Sequence, residues 1–482
     1  MSRKAHYRVY LLVALFFSLG LQGSGRAEEK FEITGEDRDY WAFQALVPPE
    51  QAGIDAVIDA ALSGKGLLAN PPANREQLIR RAYFDLVGLA PTYSQIREFA
   101  EDKAPVAEIF ARLVDRLLEM PEYGERWGRH WLDVVRYAQT NGYERDDEKP
   151  NAWRYRDYVV DAFNSDKPYD RFVLEQLAGD ELADGGDEGL IATGFYRLGV
   201  FDDEPDDKRA AEFDGLDDML RTTSETFLGL TTGCARCHDH MFDPISQVDY
   251  YEMASFFRNV RQYQKPQRGK EGAVLRQVKG GMALSVTEKG PEAADTHLLV
   301  RGDAGRPAQK VTPRLPGIFG NHEPDIIPTP ASTGRRLALA RWIVDPVNPL
   351  TARVMANRIW QYHFGLGIVA TPNDFGQAGH PVSNQALLDW LAHELIKSGW
   401  SIKHMHRAIM NTRAYRRSSS PHVENEKIDP DNVHHWRGNL RRLEAEILRD
   451  RILQASGALN QKRGGMSFFP ALNGEVVAGA SK

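Results

Sequence analysis

The sequence has few cysteines, no excess of positive charge and only one long apolar run. Two cysteines in 482 residues exclude a miniprotein held together by disulfides, so stability must come from packing. Lysine and arginine number 60 against 67 aspartate and glutamate residues, and the formal charge of −7 argues against nucleic acid as a partner. With 42% hydrophobic residues, the chain has enough apolar side chains to bury a large core, and we expect two or three domains.

The apolar run stands at the N-terminus and predicts a signal peptide over residues 1–27. Three basic residues precede the run over 9–21, and small residues follow it at 23–27. The run is shorter than the roughly 20 apolar residues that a membrane span needs, although an uncleaved anchor stays open. No later segment is apolar enough to cross a membrane. We therefore expect an exported protein, periplasmic or associated with the cell envelope, whose net charge falls from −7 to −11 after loss of four basic residues.

Helical periodicity on both sides of a Pro- and Gly-rich segment predicts a mainly α fold. We expect a helical domain over 40–260, a small β-containing insert over 261–332 and a second helical domain over 333–482. Asn74 and Gln77 form a capping box at the start of one predicted helix. Further helices are predicted at 106–118, 122–138, 152–163, 168–178, 208–230, from about 333, and at 385–397, 402–412 and 440–457, with β-type runs at 282–286 and 297–300.

The two cysteines belong to the segment Cys234-Ala235-Arg236-Cys237-His238, which is the attachment pattern of c-type haem. Two thiols three residues apart add to the two vinyl groups of haem, and the next side chain then lies under the iron as the proximal imidazole ligand. Export is consistent with this interpretation, because covalent haem attachment takes place outside the cytoplasm. We therefore predict haem c on Cys234 and Cys237, with His238 as the axial ligand.

Three other interpretations of the cysteine pair stay open. A thioredoxin-like redox pair usually opens a helix after a strand, whereas a helical stretch precedes these cysteines. A structural disulfide is the second alternative. Zinc bound by Cys234, Cys237, His238 and His240 is the third, although ligands at the adjacent positions 237 and 238 are hard to aim at one tetrahedral centre.

If haem binds, the residues beyond the motif decide its chemistry. His130 is the candidate distal ligand, because it shares a helical stripe with Trp127 and Trp131 and faces the interior; a satisfied core histidine is the alternative. His363, Met219 and Met253 are weaker candidates. A five-coordinate iron also stays open and would favour ligand or peroxide chemistry over simple electron transfer.

Near the motif, three polar residues are candidates for supporting roles. Asp239 or Asp243 could accept the ring N–H of His238, although Asp243 before Pro244 equally predicts a turn or a helix cap. His240 lies too close to His238 in sequence to reach the opposite face of the haem. We expect His240 to orient the site instead.

The motif and its surroundings resemble a planctomycete-type family of secreted proteins that have a cytochrome-like domain of unknown function followed by a companion domain. The first domain is similar at 80–89, 123–133, 151–157, 166–182 and 234–251, and the companion domain at 348–354, 357–360 and 371–376. The resemblance implies haem and a companion domain that normally runs further than this chain does. It therefore implies that the second domain is C-terminally truncated.

The sequence thus predicts an exported c-type haem-binding redox protein that transfers electrons or activates a small oxidant. The redox partner, the substrate and any catalytic residue stay unassigned. The alternative is a non-redox secreted binding or scaffold protein of the cell envelope, with a structural metal or disulfide at Cys234 and Cys237. A glycan hydrolase is a third possibility, and it would need paired carboxylates about 5 to 10 Å apart.

Overall fold

The computed structural model describes residues 31–47, 53–143, 146–202, 204–264, 272–320 and 322–468. The predicted signal peptide over 1–27 lies outside these residues, as does the end of the chain from 469 onwards. The described part is about half helical, and its strands form only small two-stranded sheets. The prediction of a mainly helical chain with few strands is consistent with this content. Within the described residues, no helix combines the length and apolar character that crossing a membrane requires.

The helices follow one another along almost the whole described chain. They are α1 Gly35–Asp39, α2 Ile54–Lys65, α3 Arg75–Leu86, α4 Tyr93–Glu101, α5 Val106–Leu118, α6 Glu122–Val134, α7 Ala152–Asn164, α8 Tyr169–Ala178, α9 Gly186–Ala192, α10 Lys208–Thr223, α11 Gln247–Ala254, α12 Arg335–Ile343, α13 Thr351–Phe364, α14 Gln385–Lys397, α15 Ile402–Met410, α16 Arg413–Arg416, α17 Val423–Ile428 and α18 Ala445–Ala455. Short 3₁₀ turns lie at Trp41–Phe43, Thr193–Arg197, Gly233–Arg236, Val300–Gly302 and Gly317–Phe319, and a π turn lies at Ser224–Leu228.

Local sequence signals explain where several helices begin. The Asn74 side chain accepts the backbone N–H of Gln77, and the Gln77 side chain accepts the backbone N–H of Asn74, so the predicted capping box at the start of α3 is confirmed. Helix α5 coincides with its predicted range and buries one apolar stripe. That stripe comprises Ile109, Phe110, Leu113, Val114, Leu117 and Leu118.

Some predicted helix bounds are wrong for local reasons. Helix α6 ends at Val134 rather than 138, because Arg136 takes a left-handed conformation with φ 60°. Helix α10 ends at Thr223 and continues only as the π turn Ser224–Leu228. Helix α18 begins at Ala445 rather than 440, since Glu444 before it is extended.

The strands described all lie between Val260 and Val311, within or at the edge of the predicted insert. They are β1 Val260–Arg261, β2 Tyr263–Gln264, β3 Gly272–Ala273, β4 Leu275–Val278, β5 Gly281–Leu284, β6 Thr287–Glu288, β7 Thr296–Leu299 and β8 Pro307–Val311. Antiparallel pairs join β1 to β6, β2 to β3, β4 to β5 and β7 to β8. The β-type runs predicted at 282–286 and 297–300 overlap β5 and β7.

The hydrophobic core is continuous between the two predicted helical domains. One cluster of buried side chains extends from Ala42 to Trp436. Helix α12 packs against α8, and α14 packs against α2, so helices from both sides of the insert contact each other. The division into two domains stays a prediction.

Helix α13 was not expected from the sequence. Twelve of its fourteen residues are buried, and these include Arg353, Asn357 and Arg358, so its polar residues do not mark a solvent-facing side. It lies in the middle of the core and carries His363, one of the candidate ligands.

Candidate functional site

The two cysteines lie at the ends of a single tight turn. Cys234 belongs to the 3₁₀ helix Gly233–Arg236, and Cys237 follows directly as its C-cap. A 3₁₀ helix has three residues per turn, so side chains at positions i and i+3 lie on the same side. Both cysteines are exposed and neither forms a disulfide. The turn therefore presents two free thiols from one side of the backbone to solvent.

The residues between the cysteines hold this turn to the rest of the molecule. Ala235 is fully buried, and the guanidinium of Arg236 forms an ion pair of 2.7 Å with Asp214. The carbonyl oxygen of Arg236 accepts two hydrogen bonds, from Nε2 of Gln247 at 3.0 Å and from the hydroxyl of Tyr251 at 2.9 Å. The thiols are thus exposed, while the backbone that carries them is fixed.

The loop after β7 packs closely on the second cysteine. Gly302 has φ +73°, and a Cβ on it would lie 2.8 Å from Sγ of Cys237. Both the backbone conformation and the space therefore require glycine at position 302.

His238 is exposed, and its ring orientation is set by its own neighbour. Nδ1 of His238 lies 2.7 Å from the carbonyl oxygen of Asp239. A carbonyl oxygen can only accept, so Nδ1 carries the proton and donates it. In the neutral ring, Nε2 then holds the lone pair that a metal ion can accept.

The predicted partners of His238 make other bonds in this structure. Oδ1 of Asp239 accepts the backbone N–H of Gln247 at 2.7 Å and so caps the start of α11. His240 is buried, and its Nδ1 accepts the backbone N–H of Asp243 at 2.8 Å. These bonds close the loop after the cysteine turn. Acceptance of the His238 ring N–H by the carboxylate of Asp239 or Asp243, and the orienting role of His240, stay predictions.

Asp243 connects this loop to the C-terminal half of the chain. Its Oδ1 accepts the backbone N–H of Gln377 at 2.7 Å, and its Oδ2 is buried without a hydrogen-bond partner among the described residues. Burial raises the pKa of the Asp243 carboxyl. The structure thus gives Asp243 a role in holding the two halves together.

His130 lies in the packed interior. Its ring stacks on Tyr362 with centroids 3.7 Å apart and meets Trp127 edge-on at 5.4 Å. A void of about 10 Å³ beside it offers no more room than one water molecule needs. Burial lowers the pKa of His130 well below its usual value, and its Nε2 has no partner among the described residues. A distal-ligand role for His130 stays a prediction.

The weaker ligand candidates are also interior residues. Met219 and Met253 are buried in the hydrophobic core. Nε2 of His363 lies 2.9 Å from Nδ1 of His406, so one of these rings donates to the other.

His363 belongs to a buried polar network that the sequence did not reveal. Nε2 of His406 lies 3.1 Å from the hydroxyl of Tyr123, and Nδ1 of His363 lies 3.9 Å from Oδ2 of Asp85. The hydroxyl of Tyr415 donates to the same Oδ2 at 2.7 Å. Side chains from α3, α6, α13, α15 and α16 thus meet in one buried polar cluster, in which the His363–Asp85 link is a 3.9 Å contact and not a hydrogen bond.

Asp85 is the charged centre of this network. Arg441 donates to its Oδ1. Burial alone would raise the pKa of Asp85, but Arg441, His363 and Tyr415 outweigh burial and lower it to about 2. The one sequence signal for the network was Asp85 itself, a carboxylate next to Leu86 at the end of an otherwise apolar helix stripe.

Across the described residues, no group of three or more His, Cys, Asp or Glu side chains is arranged to hold a metal ion. The hydrogen bonds and ring contacts described above place His130 with Trp127 and Tyr362, and Cys237 against Gly302. They do not bring His130 and the cysteine turn together.

Two family models match the chain in the expected order. Residues 53–262 match the model described as PSCyt2, a protein of unknown function (DUF1549). Residues 335–481 match the model described as PSD1, a protein of unknown function (DUF1553). No curated protein and no solved structure matches the chain. The predicted order of a first domain of unknown function and its companion is confirmed.

Proposed function

We propose that the protein is an exported c-type haem-binding redox protein, in which Cys234 and Cys237 hold haem covalently and His238 is an axial ligand. One observation carries the proposal. Two free, exposed thiols lie on one side of an anchored turn, and the next residue is a histidine whose Nε2 is available. Bound haem would supply one-electron chemistry or activation of a small oxidant.

The thiols fit covalent attachment without any oxidant. Each Sγ–H adds across one vinyl group, with sulfur bonding to one carbon and the hydrogen going to the other. This addition needs two free and accessible thiols. Cys234 and Cys237 are free of any disulfide and exposed to solvent. Residues Ala235 and Arg236 keep the two sulfurs on a turn that does not have to refold for the reaction.

The surroundings of the turn also support a bound apolar group. Met241 and Phe242 are 77% and 54% exposed, which is unusual for two adjacent large apolar side chains. They lie three and four residues after His238, and an apolar macrocycle held at the thiols would offer them a partner. No sixth ligand is assigned, because His130 is packed between Trp127 and Tyr362.

The proposal is tested by producing the full chain, with its own N-terminus, in a bacterial host that carries a c-type maturation system. The purified protein is examined by pyridine haemochrome absorbance and by haem-dependent peroxidase staining after denaturing electrophoresis. We expect about one haem per chain, and a stain that survives denaturation because the bond is covalent.

Matched variants separate attachment from ligation. The double variant C234S/C237S should lose the stain. H238A should show an altered Soret band or lose haem during maturation, whereas H380A, which changes another exposed histidine, should behave as wild type. Colourless wild-type protein, from cells that mature a control cytochrome normally, would overturn the proposal. One zinc per chain without iron, or an intact disulfide without cofactor, would instead indicate a structural role for the cysteines in a non-redox binding or scaffold protein.

A further inference from the structure

A large cleft lies where the two family-matched segments meet. Its volume is about 610 Å³, which is in the range that small-molecule sites occupy. Helix α3 and Arg126 of α6 line it from the first segment. From the second segment the lining residues are Gln361, Tyr362, Gly365, Ser419, Asn439 to Glu444, and Ile447. Neither segment forms the cleft alone.

The lining of the cleft is strongly basic. Five arginines face two carboxylates, which leaves a net charge of +3 when both acids are ionised. The arginines are Arg80, Arg81, Arg126, Arg441 and Arg442, and the acids are Asp85 and Glu444. Although burial opposes ionisation of Glu444, the hydrogen bond from Arg126 lowers its pKa. This local charge contrasts with the net negative charge of the whole chain.

Two of these arginines are held in place before any ligand arrives. Arg126 binds Glu444 through two parallel hydrogen bonds of 2.6 and 2.9 Å, and Arg441 binds Asp85. Gly365 makes room for Arg441, because a Cβ on it would lie 2.7 Å from the Arg441 Cδ. Groups fixed in this way lose little freedom when they bind a ligand.

Two other arginines have no such partner. Arg80 of α3 and Arg442 near the start of α18 are exposed, and neither forms an ion pair or a side-chain hydrogen bond with any other described residue. They come from the two different segments. Nε of Arg126 is in addition buried without a hydrogen-bond partner among the described residues. The cleft therefore contains donors for which the described chain offers no acceptor.

Apolar groups form another part of the lining. Phe84 and Tyr362 contribute rings, and Leu440 is 82% exposed. Ile447 and Leu443 continue this surface. Charged groups beside this apolar part of the wall suit a small organic ligand that carries acid groups on an apolar body.

We infer that this cleft is a binding site for a small organic dianion, with two carboxylates or a phosphate on a flat apolar body. Its charged groups would meet Arg80 and Arg442, and its body would lie against Phe84, Tyr362 and Leu440. The site is independent of the cysteine turn, so it should bind its ligand whether or not haem is attached.

The test uses isothermal titration of the full chain with three probes: terephthalate, its neutral amide terephthalamide, and phenyl phosphate. Terephthalate and terephthalamide have the same ring and nearly the same shape but differ in charge. We expect terephthalate, phenyl phosphate or both to bind with a Kd below about 1 mM, and terephthalamide to bind at least about tenfold more weakly. Raising the salt concentration should weaken binding of the dianions only.

Substitutions locate the binding. R80Q and R442Q should each weaken binding of the dianion at least about fivefold, because each removes a charged donor. Both residues are exposed, so both variants should fold, and circular dichroism melting checks this. R97Q is the matched control, since Arg97 is an exposed arginine on α4 that pairs with Glu101 outside the cleft.

Three results would overturn the inference. One is the absence of binding of either dianion at concentrations up to about 10 mM, because a Kd above that value is weaker than a specific site is expected to have. Another is equal binding of terephthalate and terephthalamide. The third is unchanged affinity in folded R80Q and R442Q proteins. The relative strength of terephthalate and phenyl phosphate shows which acid group the site prefers.

Discussion

Replacing Asp85 with Asn removes the charge from the centre of the buried network while nearly preserving the shape of the side chain. Asp85 is 5% exposed, and its Oδ atoms accept from Arg441 and Tyr415. Its pKa is about 2 in the folded chain against an ordinary value of 3.8. Each pKa unit corresponds to about 1.4 kcal/mol, so the interactions of the ionised carboxylate stabilise the fold at pH 7 by about 2.5 kcal/mol.

The sign of the pH dependence follows from the direction of the shift. Because the pKa of Asp85 is lowered on folding, its contribution is present above the unfolded value and is lost as pH falls through the folded value of about 2. We therefore expect D85N to lower the free energy of unfolding by about 2–3 kcal/mol at pH 7, and by roughly half as much at pH 3.

Urea unfolding followed by circular dichroism and tryptophan fluorescence measures this difference. Trp127 is a local probe, because its Nε1–H donates to the carbonyl oxygen of Asp85 at 3.1 Å. D115N is the matched control, since Asp115 forms a 2.7 Å ion pair with Arg407 at the surface and should contribute less than about 0.5 kcal/mol. Equal effects of D85N and D115N at pH 7, or a D85N effect that does not shrink at low pH, would refute the reasoning.

Two further predictions concern packing and a second buried carboxylate. G124A should destabilise the protein by about 1–3 kcal/mol in a thermal unfolding assay, because a Cβ on Gly124 would collide with the side chain of Asn164. G64A is the control, since Gly64 lies at an open helical position, and it should be neutral or stabilising by up to about 1 kcal/mol in the same assay. Burial raises the pKa of Glu181 to about 7, although Arg336 opposes this, so the fold should lose stability as pH rises from about 4.5 to 7. E181Q should flatten this part of the stability profile and exceed wild type at pH 8, and a profile identical to wild type would contradict the assignment.

Features with local causes could be predicted from the sequence. The start of α3 depends on Asn74 and Gln77, and the range of α5 depends on one apolar stripe, so both follow from residues a few positions apart. The cysteine turn is also local, because its spacing alone places Cys234 and Cys237 on one side.

Features that depend on distant residues could not be predicted. Helix α13 is buried nearly all round, and distant parts of the fold bury even its Arg353, Asn357 and Arg358. Asp85, His363 and His406 are far apart in sequence, and only the folded core brings them together. The basic cleft likewise needs Arg80 and Arg442 from different segments of a chain whose overall charge is negative.

The anchored turn bears on when its two cysteines can be modified, before or after the chain has folded. Cys234 and Cys237 stay at the surface after the core has formed, and Arg236 between them is tied to Asp214, Gln247 and Tyr251. In the proposed attachment of haem, both sulfur atoms would therefore be within reach of a maturation enzyme on the folded chain. In the exported protein that we propose, the same accessibility would leave the pair open to oxidants, so haem attachment would compete with oxidation of the thiols.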